Sequence, residues 1–346
     1  MDLALFDYEL PKELIAQVPA RRRDRSRLLI HDRGTGERRH ETFPSILNHI
    51  KSGDVLVVNN TKVFKARLLG RKATGAKVEI FLVRRVDGLS GDCWEALARP
   101  SRRLSEGEEV LFDGGGWARL DKWLGRGRWR VVFRSESAAA RIIAHCGHVP
   151  LPQYIRRDDS PSDLRRYQTV FASSDRTGAV AAPTAGFHFT KGLLTKLAER
   201  GVDVLQVTLH VGPGTFKPIT VDNIHDHTVD PEWAELPSSV ADRLNEVRAH
   251  GGKIFAVGTT SVRTLESAPA QNGLIQPFAE MVDLYIKPGH TFRFVDHLIT
   301  NFHLPKSSLL VLVSAFAGRD DILTSYREAV REKYRFYSYG DAMLIL

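Results

Sequence analysis

The run KVEIFLVRRV, residues 77–86, is rich in β-branched and aromatic residues, and a glycine-bearing turn signal follows it at once. Four further short runs come after it: CWEALAR (93–99), EEVLF (108–112), GWARLD (116–121) and RWRVVFR (128–134). They are separated by DG at 87–88, SG at 90–91, EG at 106–107, DGGG at 113–116 and GRG at 125–127. Strands this short, interrupted this regularly, predict a small antiparallel β-barrel or sandwich.

Charge marks the same segment. From Lys62 to Val149 there are 18 Lys and Arg against 10 Asp and Glu, whereas the rest of the 346-residue chain balances at 31 against 31. The whole net charge of +8 therefore sits in the β-rich stretch. A second basic block, RRRDRSR at 21–27, puts five arginines into seven residues. Together they predict a polyanion partner, with Arg23, Arg27, Arg67, Arg102, Arg103, Arg126 and Arg128 as candidates for gripping a nucleic-acid backbone.

On either side of this segment, helical and strand patterns alternate. GDVLVVNNT (53–61), VDVLQVTLHV (202–211), KIFAVG (253–258), FAEMVDLYIKPG (278–289) and DAMLIL (341–346) read as strands. KGLLTKLAERG (191–201), PSSVADRLNEVRAHGG (237–252), TTSVRTLES (259–267), KSSLLVLVSAFAG (306–318) and ILTSYREAVREKY (322–334) read as helices, and so do PKELIAQ (11–17) and FPSILNHI (43–50). Thr190 is placed to cap the first of these, and Gly201 to end it. The expected fold class is α/β: a discontinuous, sandwich-like α/β core from residues 1–62 and 151–346, with a small basic β-barrel inserted at 63–150.

Several classes are not expected. No apolar run approaches the roughly 18 residues of a membrane span, and the acidic start MDLALFDYEL lacks the basic end of a secretion signal. Two cysteines make neither a disulfide framework nor a thiolate metal cluster, so a reducing cytoplasm is the expected compartment. No G-x-G-x-x-G follows the first strand and no G-x-S-x-G is present. His225, Asp226 and His227 form a short HDH run, a weak metal signal, and no metal is expected.

In α/β sheets ligands gather where strands end at their carboxyl side. Asn60 follows one such strand and Gly212 of GPGTF another. Thr259, Thr260 and Ser261 open a helix after a third, with Arg263 one turn in; hydroxyls and free N–H groups there suit a carboxylate or phosphate. GAVAAPTAGFHFT (178–190) has neither helical nor strand periodicity. Its small residues, Thr184 and Gly186 among them, permit close backbone approach to a ligand, and Phe187 and His188 stand beside them.

GDVLVVNNTKVFKARLLGRKATGAKVEIFLV (53–83), GHVPLPQYI (147–155), YQTVFA (167–172), GAVAAPTAGFHFT (178–190), VTLHVGPGTFKP (207–218), AVGTTSVRTLES (256–267), TNFHLPKSSLLVLVSAFAG (300–318) and EKYRFYSYGDAMLIL (332–346) make a further point together. In this order they resemble the S-adenosylmethionine:tRNA ribosyltransferase-isomerase family of queuosine biosynthesis. The resemblance runs from about Phe6 to the C-terminus.

It implies an enzyme that transfers and isomerises the ribosyl part of S-adenosylmethionine onto 7-aminomethyl-7-deazaguanine at the tRNA wobble position. Epoxyqueuosine-tRNA, adenine and methionine are the implied products. S-adenosylmethionine is then a consumed cosubstrate and no cofactor is required; a monomer is expected. A tRNA methyltransferase and a nonenzymatic tRNA-binding protein are the alternatives. The implied chemistry starts by removing a proton beside the sulfonium, which makes His188 the candidate base and His210 its rival. Asn60, Thr184, Gly186, Phe187, Gly212, Thr259, Thr260, Ser261 and Arg263 are the candidate cosubstrate contacts. The chain departs from the family pattern with Phe187 in place of a leucine, Trp233 in place of a tyrosine and Asp230 where a histidine is common, so no obligatory base is expected at position 230.

Overall fold

The strand Val55–Asn59 is buried along its whole length, and its alternate residues feed two different cores. Val55 and Val57 join one apolar cluster and Leu56 and Val58 the other, as a central strand covered on both faces requires. The computed structural model describes residues 1–86 and 91–346; the turn expected at Asp87–Gly88 and Ser90 lies outside the described residues.

In chain order the strands of the core are β1 (Arg27–His31), β2 (Arg38–Thr42) and β3 (Val55–Asn59). The barrel follows with β4 (Arg67–Arg71), β5 (Lys77–Val86), β6 (Asp92–Arg99), β7 (Glu108–Phe112), β8 (Trp117–Gly125), β9 (Arg128–Phe133) and β10 (Gly147–His148). The core resumes with β11 (Asp203–Leu209), β12 (Glu232–Leu236), β13 (Ile254–Val257), β14 (Phe278–Val282), β15 (His297–Asn301) and β16 (Ala342–Ile345). Among the described residues the core sheet has nine strands in the order β14-β12-β11-β3-β13-β15-β16-β1-β2.

Its middle, β11-β3-β13-β15, is parallel throughout, so the carboxyl ends of four strands lie along one edge. Helices α1 (Glu136–Cys146), α2 (Lys191–Glu199), α3 (Ser238–Ala249), α4 (Gly258–Ser267), α5 (Ser308–Ala317) and α6 (Arg319–Arg331) complete the main elements. α2 packs on the face of Leu56 and Val58 through Leu193 and Leu197, whereas α3 to α6 pack on the opposite face. The Thr190 hydroxyl caps α2 by accepting from Leu193 N at 3.1 Å, and Gly201 follows its end at φ 76°.

The strands β4-β5-β6-β9-β8-β7 are antiparallel, and among the described residues β4 pairs back with β7 to close them into a six-stranded barrel. Gly70 lies on that seam: a Cβ there would stand 2.6 Å from Val110 Cγ1 and 2.7 Å from the Leu111 carbonyl oxygen. Val78, Ile80, Leu82, Ala96, Val110, Leu120, Trp129 and Val131 fill the interior. β10 returns beside β4, with Gly147 opposite Leu68 and His148 opposite Arg67.

Two helices expected from the sequence are not α-helices. PKELIAQ contains only the 3₁₀ turn Lys12–Leu14, and FPSILNHI forms the 3₁₀ turn Phe43–Asn48. Each segment is too short to offset helix nucleation. In the second, the i, i+3 spacing of the buried Phe43 and Ile46 suits a three-residue turn.

Candidate active site

β3, β11, β13 and β15 deliver Asn59, His210–Val211, Gly258–Thr260 and Asn301–His303 to the shared carboxyl edge. A crevice runs along it, lined by Ala182–Ala185, Val211, Thr215, Gly258–Thr260, Thr300–His303, Leu309, Tyr337 and Ser338. It is narrow, about 30 Å³, room for one or two water-sized groups. At Thr215 and Leu309 it meets a cavity of about 650 Å³, within the range that holds small-molecule ligands. Gly214–Thr215, the segment 226–230, Arg263, Tyr285 and Ser308 line this larger space, and Arg126 reaches it from the β8–β9 hairpin of the barrel.

The wall between the two spaces is held by a buried carboxylate. Glu232 accepts from Gly212 N at 2.7 Å and from the Thr215 hydroxyl at 2.7 Å, and it pairs with the Arg263 guanidinium. Arg263 also donates to the Leu284 carbonyl at 3.1 Å. Its charge is therefore turned toward β12 and away from the first turn of α4. Thr184, Thr259 and Thr260 do line the crevice. The Thr260 hydroxyl is buried and makes no hydrogen bond among the described residues, while Ser261 donates back to the Val257 carbonyl at 2.8 Å. Gly258, at φ 85°, lets β13 turn directly into α4 and brings the hydroxyls of its first turn to the crevice.

His188 lines neither space. Asn301 Nδ2 donates to its Nε2 at 3.1 Å and also reaches the Asp341 carbonyl oxygen at 3.4 Å, which can only accept. His188 Nε2 is thus the acceptor nitrogen, and Nδ1 carries the proton donated to Ser26 Oγ at 2.7 Å. Burial, with help from Arg23 and Arg335, lowers its pKa to about 3. Asn301, also bonded by the Thr184 hydroxyl at 3.1 Å, is the member of this network that faces the crevice. His210 is set apart as well: its Nδ1 meets Thr61 Oγ1 at 2.7 Å, and its ring lies on Gly178, where a Cβ would come within 2.8 Å of it. Burial lowers its pKa to about 4.

The other candidates divide the same way. Phe187 packs between Tyr167 and Tyr339, and Gly186 clears space for Phe171, whose ring a Cβ would approach to 2.5 Å. Asn60 is tied to Gln206 at 3.2 Å and to Thr208 at 2.8 Å. None of these lines either space. Arg67 pairs with Glu79, and Arg128 with Glu95 and Asp230. Arg23 donates to the Phe187 and Arg165 carbonyls, and Arg27 lies over the Tyr334 ring. Arg102, Arg103 and Arg126 are exposed.

Sequence reasoning missed Asn301, Thr215, Glu232 and Tyr285. The polar end of an apolar strand, TN at 300–301, is the signal that would have found Asn301. Among the described residues no group of three or more His, Cys, Asp and Glu is placed to hold a metal ion, and no helix is long and apolar enough to cross a membrane.

The layout is that of an α/β enzyme with its substrate space at the carboxyl edge of a parallel sheet and a basic barrel beside it. The family model described as queuosine biosynthesis protein matches residues 3–345. A protein of Citrifermentans bemidjiense named S-adenosylmethionine:tRNA ribosyltransferase-isomerase is 49% identical over 345 residues, covering 100% of both chains. One of the same name from Desulfitobacterium hafniense is 46% identical over 348 residues, again covering 100% of both. The crystal structure of S-adenosylmethionine tRNA ribosyltransferase from Thermotoga maritima aligns with a TM-score of 0.56 at 36% identity, covering 99% of this chain and 100% of that one. The chain belongs to the queuosine biosynthesis protein family.

Proposed function

We propose that this chain transfers and isomerises the ribosyl moiety of S-adenosylmethionine onto 7-aminomethyl-7-deazaguanine at the wobble position of tRNA. Epoxyqueuosine-tRNA forms, and adenine and methionine leave. The observation that carries this reading is the end-to-end match, at 46–49% identity, to relatives named for that reaction. S-adenosylmethionine is a consumed cosubstrate, and the enzyme works as a cytoplasmic monomer.

The geometry divides the work. The crevice takes a small polar end of the cosubstrate, its carboxylate, on the hydroxyls of Thr259 and Thr260 at the start of α4. The adjoining cavity has the volume for the remainder. Exposed Arg102, Arg103 and Arg126 on the barrel supply the phosphate grip.

Incubating the protein with S-adenosylmethionine and tRNA carrying the deazaguanine amine should release free adenine, resolved by chromatography. Formation of S-adenosylhomocysteine without adenine would identify a methyltransferase instead. Binding of tRNA with neither product would identify a nonenzymatic binder.

A further inference from the structure

A base that takes a proton from a cosubstrate must reach it, and neither His188 nor His210 lines the crevice or the cavity. His303 lines the crevice, but it is buried and its Nε2 is committed to the Thr300 hydroxyl at 2.9 Å. His227 is different. It lies on the wall of the 650 Å³ cavity, half-buried, with its ring edge-on to Tyr285 at a centroid distance of 5.2 Å. Among the described residues its imidazole is in no hydrogen bond and no ion pair.

We propose that His227, braced by the Tyr285 ring, is the catalytic base of this enzyme. The inference rests on the reading given under Proposed function. In the first step the C–H bond next to the sulfonium breaks, its electron pair stays on carbon against the positive sulfur, and the proton passes to a ring nitrogen of His227. An imidazolium results.

The charged groups around the cavity leave this role to His227. Asp230 is occupied by Arg128 at 2.8 Å and by Lys217 at 3.2 Å, and Arg263 is held by Glu232. Asp226 is exposed to solvent, and Arg126 approaches from the barrel side. Lys287 lies over the far partner, its ammonium 5.7 Å from the Tyr285 ring centroid. Burial lowers the His227 pKa, against a smaller opposing effect of Asp230, and so keeps the ring neutral and able to accept a proton at pH 7. Burial also pushes the Tyr285 phenol up to about 12, so it stays protonated, and among the described residues its buried hydroxyl has no hydrogen-bond partner.

The test compares wild type, His227→Ala and His227→Gln for adenine release, S-adenosylmethionine binding by calorimetry and tRNA binding. Adenine release should fall about 10²- to 10⁴-fold in both variants, with both binding affinities within a fewfold of wild type. Added imidazole should restore part of the activity to His227→Ala. The acid limb of the wild-type pH profile should report a group titrating below about 6.5 and be absent from His227→Gln. Unchanged adenine release overturns the inference, and so does a loss of release matched by an equal loss of cosubstrate binding in both variants, which would make His227 structural. Absence of adenine release from wild type itself would instead overturn the functional reading.

Discussion

Arg128 of the barrel reaches Asp230 of the core at 2.8 Å while it also pairs with Glu95 on the neighbouring barrel strand. One guanidinium thus spans the two parts of the molecule at the rim of the cavity. Its charge is spent within the protein. Arg128→Ala should therefore raise the KM for tRNA and leave the salt dependence of tRNA binding unchanged, which binding titrations at several salt concentrations will check.

Arg102 and Arg103, on the 3₁₀ turn Ser101–Arg103, carry no such partners among the described residues and are exposed. Replacing both with alanine should flatten the log–log salt slope by about 0.7 to 0.9 for each phosphate that is no longer neutralised. S-adenosylmethionine binding should not change. If slope and tRNA affinity both stay at wild-type values, the barrel's charge is a solvated surface.

The Glu232–Arg263 pair is buried on both sides. Removing the arginine alone leaves a carboxylate without its counter-ion, a change that costs about 3–5 kcal/mol in comparable settings. Arg263→Ala should lower the melting temperature by on the order of 10 °C. Thr260→Ala should leave it nearly unchanged and weaken S-adenosylmethionine binding about tenfold, the loss of one hydrogen bond to a charged group. Thermal melts and calorimetry on the same two variants separate the roles. A stable Arg263→Ala protein that fails only to bind cosubstrate would reverse them.

His188 and His303 are both held neutral by burial, with pKa values lowered to about 3. The unfolded chain protonates them near 6.5, so between about pH 3 and 6.5 it binds more protons than the folded one. Stability contributed by each is intact above about pH 6.5 and falls as the pH drops through that window, by up to about 1.4 kcal/mol per unit. Denaturant titrations from pH 7 to 5 should show this decline. Proton uptake on unfolding at pH 5 should drop by about one in His188→Gln; an unaltered uptake would mean that the imidazole is already charged in the fold.

The barrel was legible because glycines at 91, 107, 114 and 127 punctuate it, each at positive φ. The central sheet was legible because DVLVV and KIFAV carry long apolar runs between turn residues. The 3₁₀ turns at Lys12–Leu14 and Phe43–Asn48 were not, since over so few residues helical and 3₁₀ spacings differ too little to separate. Thr259 and Thr260 could be placed from the sequence because a strand end followed by a helix start fixes them locally. FHF at 187–189 could not be resolved that way. Three adjacent residues reach three surroundings: Phe187 the tyrosine cluster, His188 the Ser26–Asn301 network and Phe189 the core under α2. His227, too, acquires a role only when a sheet edge, Tyr285 and a barrel hairpin come together around it, and a weak HDH run carries none of that.

The pairing of β10 with β4 has a consequence for how the chain assembles. Gly147 sits opposite Leu68 and His148 opposite Arg67, so the whole intervening barrel begins and ends side by side. To the nine-stranded sheet that long excursion is a short tether, and bringing β3 and β11 together demands no more reach than a modest loop would. The barrel closes on itself at Gly70–Phe112 and has its own apolar interior. Substitutions inside it should shift its own local unfolding before they disturb the crevice.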